Sequence, residues 1–500
     1  MTQARAAAPT RGQWLLAAAA ILLAALATRW TRLGDPLIQV DENFYLLVGD
    51  RMWHGALPYV DIWDRKPVGL FVLYAAIRLL GGVGIYQYQI VALLAAAGTG
   101  FLVARIAARM TSLTAATVAG IFYVMLLGLA GGSGGQGPVF YNLLTAGAAL
   151  ATLRALEAGP DPSAIRRRGA LAMALMGLGL QLKYSVVFEG IFFGCALLGL
   201  SWRSHRSAAR LAADGALWVA LAALPTAAAF LWYAAAGQAD AWLYANLWSI
   251  AARGHEPAPL ILKRLAKTWT VLHLPIFAIL LAVVLEPWRA SPAGPRTFKA
   301  AMAWFGAALF GYLIFGTYFD HYALPLMLPI AVCAAPLFGY RPKRVGLVAA
   351  VLLLALAFTA NQILAGISHK RRGTQAELGR MAALIRPRLK GGCLYIVRGE
   401  SLLYHLTGAC MATRWIFPSH LTLKRESQAI GVEPLGEIRR IFATRPTVVV
   451  DTPLDDMATI NPPATALARS FLARDYRLVG RVQAPKGRRY TLIYERLPGR

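Results

Sequence analysis

Long apolar runs alternate with short polar or basic turns over the first 369 residues of the chain. A helix needs about 20 apolar residues to cross a bilayer, so runs of this kind predict membrane-spanning helices. The pattern therefore predicts an all-α polytopic membrane domain over residues 1–369. We count eleven spans, which lie at about residues 14–28, 86–108, 113–129, 139–156, 170–182, 186–200, 217–236, 270–285, 300–315, a stretch ending at 341, and 345–363.

The polar and apolar positions after about Lys370 follow a different pattern, which is typical of a soluble domain. Amphipathic segments predict helices there, and short apolar runs predict strands. Strands that alternate with helices indicate a small C-terminal α/β domain over residues 370–500. The predicted helices are 376–388, 434–443 and 464–472 with a helix-like ESLLYHL, and the predicted strands are CLYIV, 412–416, TVVVD, 476–482 and 490–494.

The loop between the first two spans, residues 31–83, contains a short amphipathic pattern. Phe44, Leu47 and Val48 form an apolar face, which predicts a helix lying along the membrane interface. Asp41 and Glu42 would lie at its N-terminus, where the helix dipole favours negative charge. The turn signal GALPY then brings the rest of the loop back to the same side of the membrane.

Acidic residues are concentrated in this loop. Carboxylates beside a membrane are costly unless water, a cation or a catalytic task keeps them there, so an acidic pair is a functional hypothesis. Asp41 and Glu42 are the leading pair, whereas Asp50 and Asp61 could equally be solvated loop residues. Over residues 39–69 of the loop, the carboxylates are Asp41, Glu42, Asp50, Asp61 and Asp64.

The overall composition excludes a soluble protein of this size. Of the 500 residues, 57% are hydrophobic and only 15% are charged, and the mean hydropathy is +0.51. The net charge of +27 raises the question of nucleic-acid binding. The Lys and Arg residues are spaced between the apolar spans, however, so membrane orientation and anionic lipid explain them better than nucleic acid does.

Basic residues cluster in alternate turns between the spans. If an uncleaved first helix begins in the cytoplasm, all of these turns are cytoplasmic, as the positive-inside rule requires. The acidic loop, Lys183, the loop around His255, the turn at Asp320 and His321, and the C-terminal domain then share the opposite side. The basic turns carry Arg105, Arg166, Arg203, Arg289 and Arg341.

The four cysteines are too few for a disulfide framework. Cys195 and Cys333 lie inside apolar spans and are most simply packing residues. Cys393 and Cys410 could pair if the C-terminal domain is extracytoplasmic.

Two segments of the acidic loop, VDENFY and GALPYVDIWDRKPVG, resemble a motif of bacterial membrane glycosyltransferases. The chain resembles the bacterial relatives of the protein O-mannosyltransferase family and of the lipid A aminoarabinose transferases, which share the GT-C fold. The segment YFDHYALPLMLPIAV is similar to one found near the tenth span of those relatives. The matching residues are Asp41, Glu42, Tyr45, Asp64, Lys66 and Pro67.

The basic-proline motif departs from both families. An acidic residue directly precedes Lys-Pro in the aminoarabinose transferases, whereas Arg65 does so here. The mannosyltransferases have the acid two positions before a His-Pro, which is closer to the spacing of Asp64 in this chain. The second carboxylate of the site is therefore either Asp61 or Asp64.

The resemblance implies a polyprenyl-phosphate sugar as donor, and the residue types suit that chemistry. A phosphate leaving group needs cations, and an acceptor hydroxyl needs a base. Carboxylates without a His cluster suit Mg²⁺ or Mn²⁺, so Asp41, Glu42 and Asp64 could also hold a divalent cation. The predicted catalytic residues are Asp41, Glu42 and Asp64, and the predicted substrate-binding residues are Tyr45, Asp61, Lys66, Lys183, Arg253, His255 and His321.

Plainer explanations exist for several of these residues. Lys183 could simply extend its ammonium from a helix end to the membrane interface. His255 and His321 could be ordinary boundary residues. The glycine-rich segment GGSGGQG is more typical of a flexible turn than of a phosphate cradle, because it lacks the Lys and the Ser or Thr of a P-loop.

Taken together, the resemblance implies an inverting hexosyl- or pentosyltransferase of the bacterial inner membrane, with its site and C-terminal domain on the periplasmic side. The acceptor would be lipid A, a polysaccharide, a lipid-linked glycan or a protein. The alternative is a transporter or flippase of lipid-linked sugars, which would be expected to show related halves or broken spans. We find no internal repeat. A non-catalytic receptor would leave the acidic loop unexplained.

Overall fold

Over residues 9–372 the chain forms fifteen α-helices. The computed structural model describes residues 9–418, 420–453, 459–485 and 489–499. A π-helical turn, Tyr244–Trp248, links α10 to α11, and a 3₁₀ segment, Asp320–Leu326, leads into α14. The helices are α1 (Arg11–Arg29), α2 (Val40–Met52), α3 (Val68–Arg78), α4 (Ile85–Ala107), α5 (Leu113–Leu129), α6 (Gly137–Glu157), α7 (Pro162–Leu180), α8 (Val187–His205), α9 (Ala208–Ala235), α10 (Ala239–Leu243), α11 (Ser249–Ala251), α12 (Ala258–Leu285), α13 (Gly294–Ile314), α14 (Met327–Phe338) and α15 (Val345–Arg372).

The predicted membrane spans coincide with helices. Among the described residues, nine helical stretches are long and apolar enough to cross a membrane, and α5 is apolar but shorter. The predicted all-α polytopic architecture is confirmed. The eleven predicted spans correspond to α1, α4, α5, α6, α7, α8, α9, α12, α13, α14 with its 3₁₀ segment, and α15.

The loop predicted around His255, between the seventh and eighth spans, is wrong for most of that interval, which is helical. α12 begins at Ala258, well before the predicted start of its span. Lys263 is exposed on the added turns, whereas Arg264 pairs with Glu256 and Lys267 pairs with Asp320. Charged residues therefore interrupt the apolar pattern without ending the helix.

The loops that carry the predicted site residues meet at one end of the helix bundle. At the opposite end, the basic turns contact one another: Arg109 pairs with Glu157, and the Ser291 hydroxyl donates to the Arg109 carbonyl at 2.6 Å. At the site end, the Asn142 amide of α6 donates to the Leu324 carbonyl at 3.1 Å. The alternation of helices therefore separates the basic turns from the predicted site.

α2 and α3, which both belong to the acidic loop of residues 31–83, pack against each other. Phe44 and Phe71 meet edge to face at 6.2 Å between ring centroids, and Tyr45 meets Tyr74 in the same way at 5.5 Å. At Gly49 the two helix backbones approach so closely that an added Cβ would lie 2.6 Å from the Ala75 nitrogen. This glycine is required by the close approach, and the packing places the first turn of α2 at the rim of the site.

The C-terminal part forms a five-stranded mixed sheet with helices packed on it, which confirms the predicted small α/β domain. The strand order is β2-β1-β3-β5-β4. β1 pairs in parallel with β2 and β3, and β5 pairs antiparallel with β3 and β4. The elements are α16 (Gln375–Leu389), β1 (Cys393–Arg398), α17 (Leu402–Thr407), β2 (Cys410–Met411), α18 (Pro434–Ala443), β3 (Val448–Asp451), α19 (Pro462–Asp475), β4 (Tyr476–Gln483) and β5 (Tyr490–Arg496).

The strand predicted over residues 412–416 is wrong. β2 ends at Met411, and the chain then turns towards the membrane domain. The carbonyl of Arg414 accepts a hydrogen bond from the Trp63 backbone at 2.9 Å, and the buried Trp415 indole donates to the Ile430 carbonyl at 2.9 Å. The apolar residues of this segment therefore pack between the domains instead of extending the sheet.

The C-terminal domain packs directly on the acidic loop. α17 lies against α2, and hydrogen bonds and ion pairs join the two domains. Because the contacts involve both backbone and side chains, they hold the domain over the first turn of α2. The pairs are Asp50 with His405 at 3.1 Å, Arg51 with the Ala409 carbonyl at 3.1 Å, and Asn43 with Glu400 at 3.3 Å.

Cys393 and Cys410 form a disulfide between β1 and β2, as the sequence suggested. We expect alkylation before and after reduction to differ by two thiols. We also expect reduction to lower the free energy of unfolding of the C-terminal domain by about 3 kcal/mol, because the bridge closes a short loop. Mass spectrometry of the alkylated chain and denaturant unfolding check this. A Cys195→Ser variant, which retains the bridge, is the control, and an unchanged thiol count would contradict the prediction.

Candidate functional site

Asp41 lies in the first turn of α2, and its partly exposed side chain is surrounded by Lys66, Lys183 and His321. We call the space among these side chains the cleft. Its Oδ2 accepts a hydrogen bond from the Gln136 amide at 3.2 Å, and its Oδ1 lies 4.0 Å from Lys66 Nζ. Burial opposes ionisation, but Lys66, His321, Gln136 and Lys183 together outweigh it and hold the pKa of Asp41 below its usual value. The side chain retains 20% exposure, so an ionised and accessible carboxylate faces the cleft.

Lys66 lies between two carboxylates. It immediately precedes Pro67, the N-cap of α3, and its Nζ is 3.3 Å from Asp64 Oδ1. Asp64 is buried and also accepts the Lys66 backbone N–H at 2.9 Å, which fixes this turn. Burial disfavours the ammonium, but Asp64 and Asp41 outweigh it and raise the pKa of Lys66 above its usual value. The lysine is therefore a fixed positive charge beside Asp41.

Lys183 and Arg253 bring two further positive charges to the cleft. Lys183 lies between α7 and α8, with Nζ 4.0 Å from the centroid of the Tyr322 ring. Burial lowers the pKa of Lys183 to about 8, and Tyr322 offsets part of this effect. Arg253 is hydrogen-bonded to the same tyrosine. Tyr322 therefore joins the two cations, and the sequence pattern did not identify it as a site residue.

His321 and Tyr45 complete the lining of the cleft near Asp41. His321 stacks on Phe319 with an interplanar angle of 9°, and it lies within electrostatic reach of Asp41. Tyr45 is buried, and its ring centroid is 5.6 Å from Lys66 Nζ. These rings limit the space around the charged groups, so the structure brings both residues to the predicted site.

The C-terminal domain contributes residues that the sequence pattern did not reveal. Glu426 forms ion pairs with Arg253 at 2.8 Å and with Arg65 at 2.6 Å. His420 is buried, with Nε2 3.8 Å from Asp64 Oδ2, and burial lowers its pKa to about 3. These residues lie more than 350 positions after Asp64 in the sequence and carry no local motif. No sequence signal therefore connects them with the acidic loop.

Three predicted residues do not face the cleft. Glu42 is fully buried and packs against the backbone of Gly134. Asp61 is exposed, and its Oδ2 accepts the Leu57 backbone N–H at 2.7 Å, so it closes the preceding turn. His255 is exposed at the surface of its loop. Of the two alternatives for the second carboxylate, the structure brings Asp64 beside Lys66 and Asp41.

The three carboxylates predicted as metal ligands do not converge. Within the described part of the chain, no group of three or more His, Cys, Asp or Glu side chains is placed to hold a metal ion. The ammonium of Lys66 occupies the position between Asp41 and Asp64, and Glu42 faces away from both. These residues therefore do not fit a divalent cation, and the positive charge at this point comes from a lysine.

Comparison with known proteins finds similar folds among solved structures. No family model and no curated protein sequence matches the chain. ArnT from Cupriavidus metallidurans, bound to undecaprenyl phosphate, has a TM-score of 0.62 and 15% identity over 97% of this chain and 98% of that one. The Archaeoglobus fulgidus oligosaccharyltransferase has a TM-score of 0.50 and 12% identity in its complex with Zn and sulfate, over 86% of this chain and 67% of that one.

A second structure of the archaeal enzyme, named AglB and bound to an inhibitory peptide and a dolichol-phosphate, has a TM-score of 0.50. It is 11% identical over 88% of this chain and 70% of that one. At such identities the likeness concerns the fold. It extends over the membrane helices and the C-terminal domain together, since ArnT is matched over nearly its whole length. The chain therefore has the GT-C fold of these membrane transferases, as its acidic loop led us to expect.

Proposed function

We propose that the protein is an integral membrane glycosyltransferase that moves a sugar from a polyprenyl-phosphate donor to an extracytoplasmic acceptor. One observation carries the proposal: the accessible carboxylate of Asp41 shares a cleft with three cations, Lys66, Lys183 and Arg253. A base beside a cluster of cations is what transfer from a phosphate leaving group requires. The sugar would be a hexose or a pentose.

The arrangement suits a single displacement with inversion. The acceptor oxygen attacks the anomeric carbon while the bond from that carbon to the phosphate oxygen breaks. Asp41 takes the hydroxyl proton, and Lys66 and Lys183 stabilise the charge that develops on the phosphate. Because Lys66 Nζ lies 4.0 Å from Asp41 Oδ1, the base and a phosphate-binding cation are close enough to serve one reacting centre.

The structural neighbours support the choice of a lipid-phosphate donor. ArnT was crystallised with undecaprenyl phosphate, and AglB with a dolichol-phosphate. Both ligands are polyprenyl-type phosphates. In this chain, Lys66, Lys183 and Arg253 lie together at one end of the helix bundle, where they could bind the phosphate of such a lipid. Candidate acceptors are lipid A, a polysaccharide, another lipid-linked glycan or a protein.

Transfer by the purified protein tests the proposal. Labelled sugars on polyprenyl phosphates would be presented in detergent with each acceptor class, and covalent product would be measured by mass spectrometry. We expect a glycosylated acceptor and free polyprenyl phosphate. Movement of the lipid-linked sugar between the leaflets of a proteoliposome, without covalent transfer, would instead establish the flippase. Glycans and lipids from wild-type and deletion cells would identify the sugar.

The positions of the basic turns support an orientation of the protein in the membrane. We propose that the site and the C-terminal domain lie on the periplasmic side of a bacterial inner membrane, because the basic turns lie at the opposite end. Reporter fusions after Arg168, Arg206 and Arg344 are expected to report the cytoplasm. Fusions after Gly132 and within the C-terminal domain are expected to report the outside. A cytoplasmic C-terminal domain would contradict this orientation.

Metal removal tests whether Lys66 substitutes for a divalent cation. The sequence suggested Mg²⁺ or Mn²⁺ at Asp41, but the lysine already supplies positive charge there. We expect EDTA to leave the rate of transfer unchanged, and added Mg²⁺ or Mn²⁺ to have no effect. The assay would use protein dialysed against chelator, with metal content measured in parallel. Loss of activity that is restored by one of these ions would establish a metal site.

A further inference from the structure

The glycine-rich segment of residues 131–137, which links α5 to α6, is an ordered part of the protein interior. It is buried from Gly132 onwards, so the expectation of a flexible turn is wrong. Arg29 donates to the carbonyls of Gly132 at 2.8 Å and Ser133 at 3.1 Å. The Tyr74 hydroxyl donates to the Gly135 carbonyl at 2.7 Å. We call this segment the glycine loop.

Glu42 fits against the glycine loop and leaves no room for a side chain there. A Cβ added at Gly134 would overlap the Glu42 carboxylate, and one added at Gly135 would overlap the hydroxyl of Tyr74. Glu42 is 0% exposed, whereas its neighbour Asp41 faces the cleft. Because successive residues of a helix point about 100° apart, one turn of α2 directs these two carboxylates to different environments.

Gln136 connects the glycine loop to the cleft. It immediately precedes α6 and is buried, and its amide donates to Asp41 Oδ2 at 3.2 Å. The other charged or titratable groups around Asp41 are Lys66, Lys183, His321, Tyr45, Tyr74 and the adjacent Glu42. Gln136 donates its hydrogen bond without carrying a charge, so it can orient the carboxylate without neutralising it.

We propose that the glycine loop is a positioning element for Asp41: Glu42 seats the loop, and the loop presents the Gln136 amide to the carboxylate that acts as base. This inference rests on the proposed transferase function and assigns different roles to two adjacent acids. Asp41 contacts the substrate, and Glu42 and Gln136 act through it.

The first test removes the hydrogen bond without disturbing the loop. Gln136→Leu and Gln136→Glu are expected to lower kcat by about 10- to 100-fold, because each loses a donor to an ionised group. The KM for the polyprenyl-phosphate donor is expected to stay within about threefold, since the phosphate-binding cations are intact. Gln375→Leu, at an exposed position, is the control. Wild-type kcat in both Gln136 variants would overturn the proposal.

The second test exploits the contact between Glu42 and Gly134. Gly134→Ala is expected to lower kcat, and adding Glu42→Asp is expected to restore part of it, because the shorter acid makes room for the methyl group. Gly306→Ala, in an open helical position, is the matched control. If the double variant is no more active than the less active of the two single variants, Glu42 does not hold the loop in place, and this part of the proposal is overturned.

Glu42→Gln separates positioning from catalysis. Burial raises the pKa of Glu42 to about 8, so a neutral amide of the same size is a close substitute for it. We expect a loss of about tenfold or less, against a much larger loss for Asp41→Asn. Equal losses would assign Glu42 to the chemistry and overturn the proposal.

Wild-type protein assayed in parallel keeps the two proposals apart. If the wild type transfers no sugar from any donor, the proposed function fails. The contact by which Glu42 holds the loop in place is then tested by thermal unfolding of the Gly134→Ala and Glu42→Asp variants, singly and together. Coupling between the two substitutions supports the seat, and additive effects overturn it.

Discussion

Asp41→Asn is expected to lower the rate constant of sugar transfer by about 10² to 10⁴-fold, with little change in the affinity for the donor lipid. The amide keeps the size of the side chain and can still accept the hydrogen bond of Gln136. It cannot take the proton of the acceptor hydroxyl. Since that proton is lost in the transition state, the substitution should affect turnover far more than binding.

The measurement is transfer of labelled sugar by purified, detergent-solubilised variants of matched thermal stability. Asp240→Asn makes the same chemical change at an exposed position, and it should retain wild-type turnover. If Asp41→Asn turns over within a few-fold of wild type, Asp41 is not the base. Asp64, which also contacts Lys66, is then the next carboxylate to test.

The membrane helices can be predicted because every span must satisfy its backbone hydrogen bonds internally and present apolar side chains to lipid. Both demands appear directly in the residue pattern. Helix ends are less predictable, as α12 illustrates, because long basic side chains let a helix continue beyond the apolar zone. The segment after β2 shows another limit, since apolar residues that pack between domains resemble a strand in sequence.

Part of the site is predictable for a similar reason. Asp41 and Lys66 lie in one acidic loop, and Lys183 lies in another loop that helix alternation brings to the same end of the bundle. The roles of adjacent residues are not predictable from spacing alone, because α2 directs Asp41 and Glu42 to different surroundings. Glu426 and His420 reach the site only through domain packing, which leaves no local pattern in the sequence.

The second large effect is expected from the two lysines that face the cleft. Lys66→Met and Lys183→Met should each lower kcat/KM for the donor by about 10- to 100-fold, because each removes a charge-assisted bond to the phosphate. Lys66→Met should be the more severe, since it also leaves Asp41 and Asp64 without their shared cation. Lys263→Met, at an exposed position of α12, is the control.

The pH dependence of kcat/KM distinguishes the two lysines. This quantity reports the ionisation of the free enzyme, in which the pKa of Lys183 is lowered to about 8. Lys183 is therefore charged below about pH 8 and neutral above it, so wild-type kcat/KM should fall as the pH rises through that value. Asp41, whose pKa is depressed, stays ionised throughout this range.

The alkaline fall in kcat/KM should disappear in Lys183→Met, because the titrating group is gone. In Lys66→Met the fall should move to higher pH, because removing the positive charge of Lys66 raises the pKa of Lys183. Donor titrations between about pH 6 and 10, on variants of matched stability, provide both profiles. If Lys183→Met retains the wild-type profile and donor affinity, Lys183 only anchors its helix at the interface, and Lys66 and Arg253 must bind the phosphate without it.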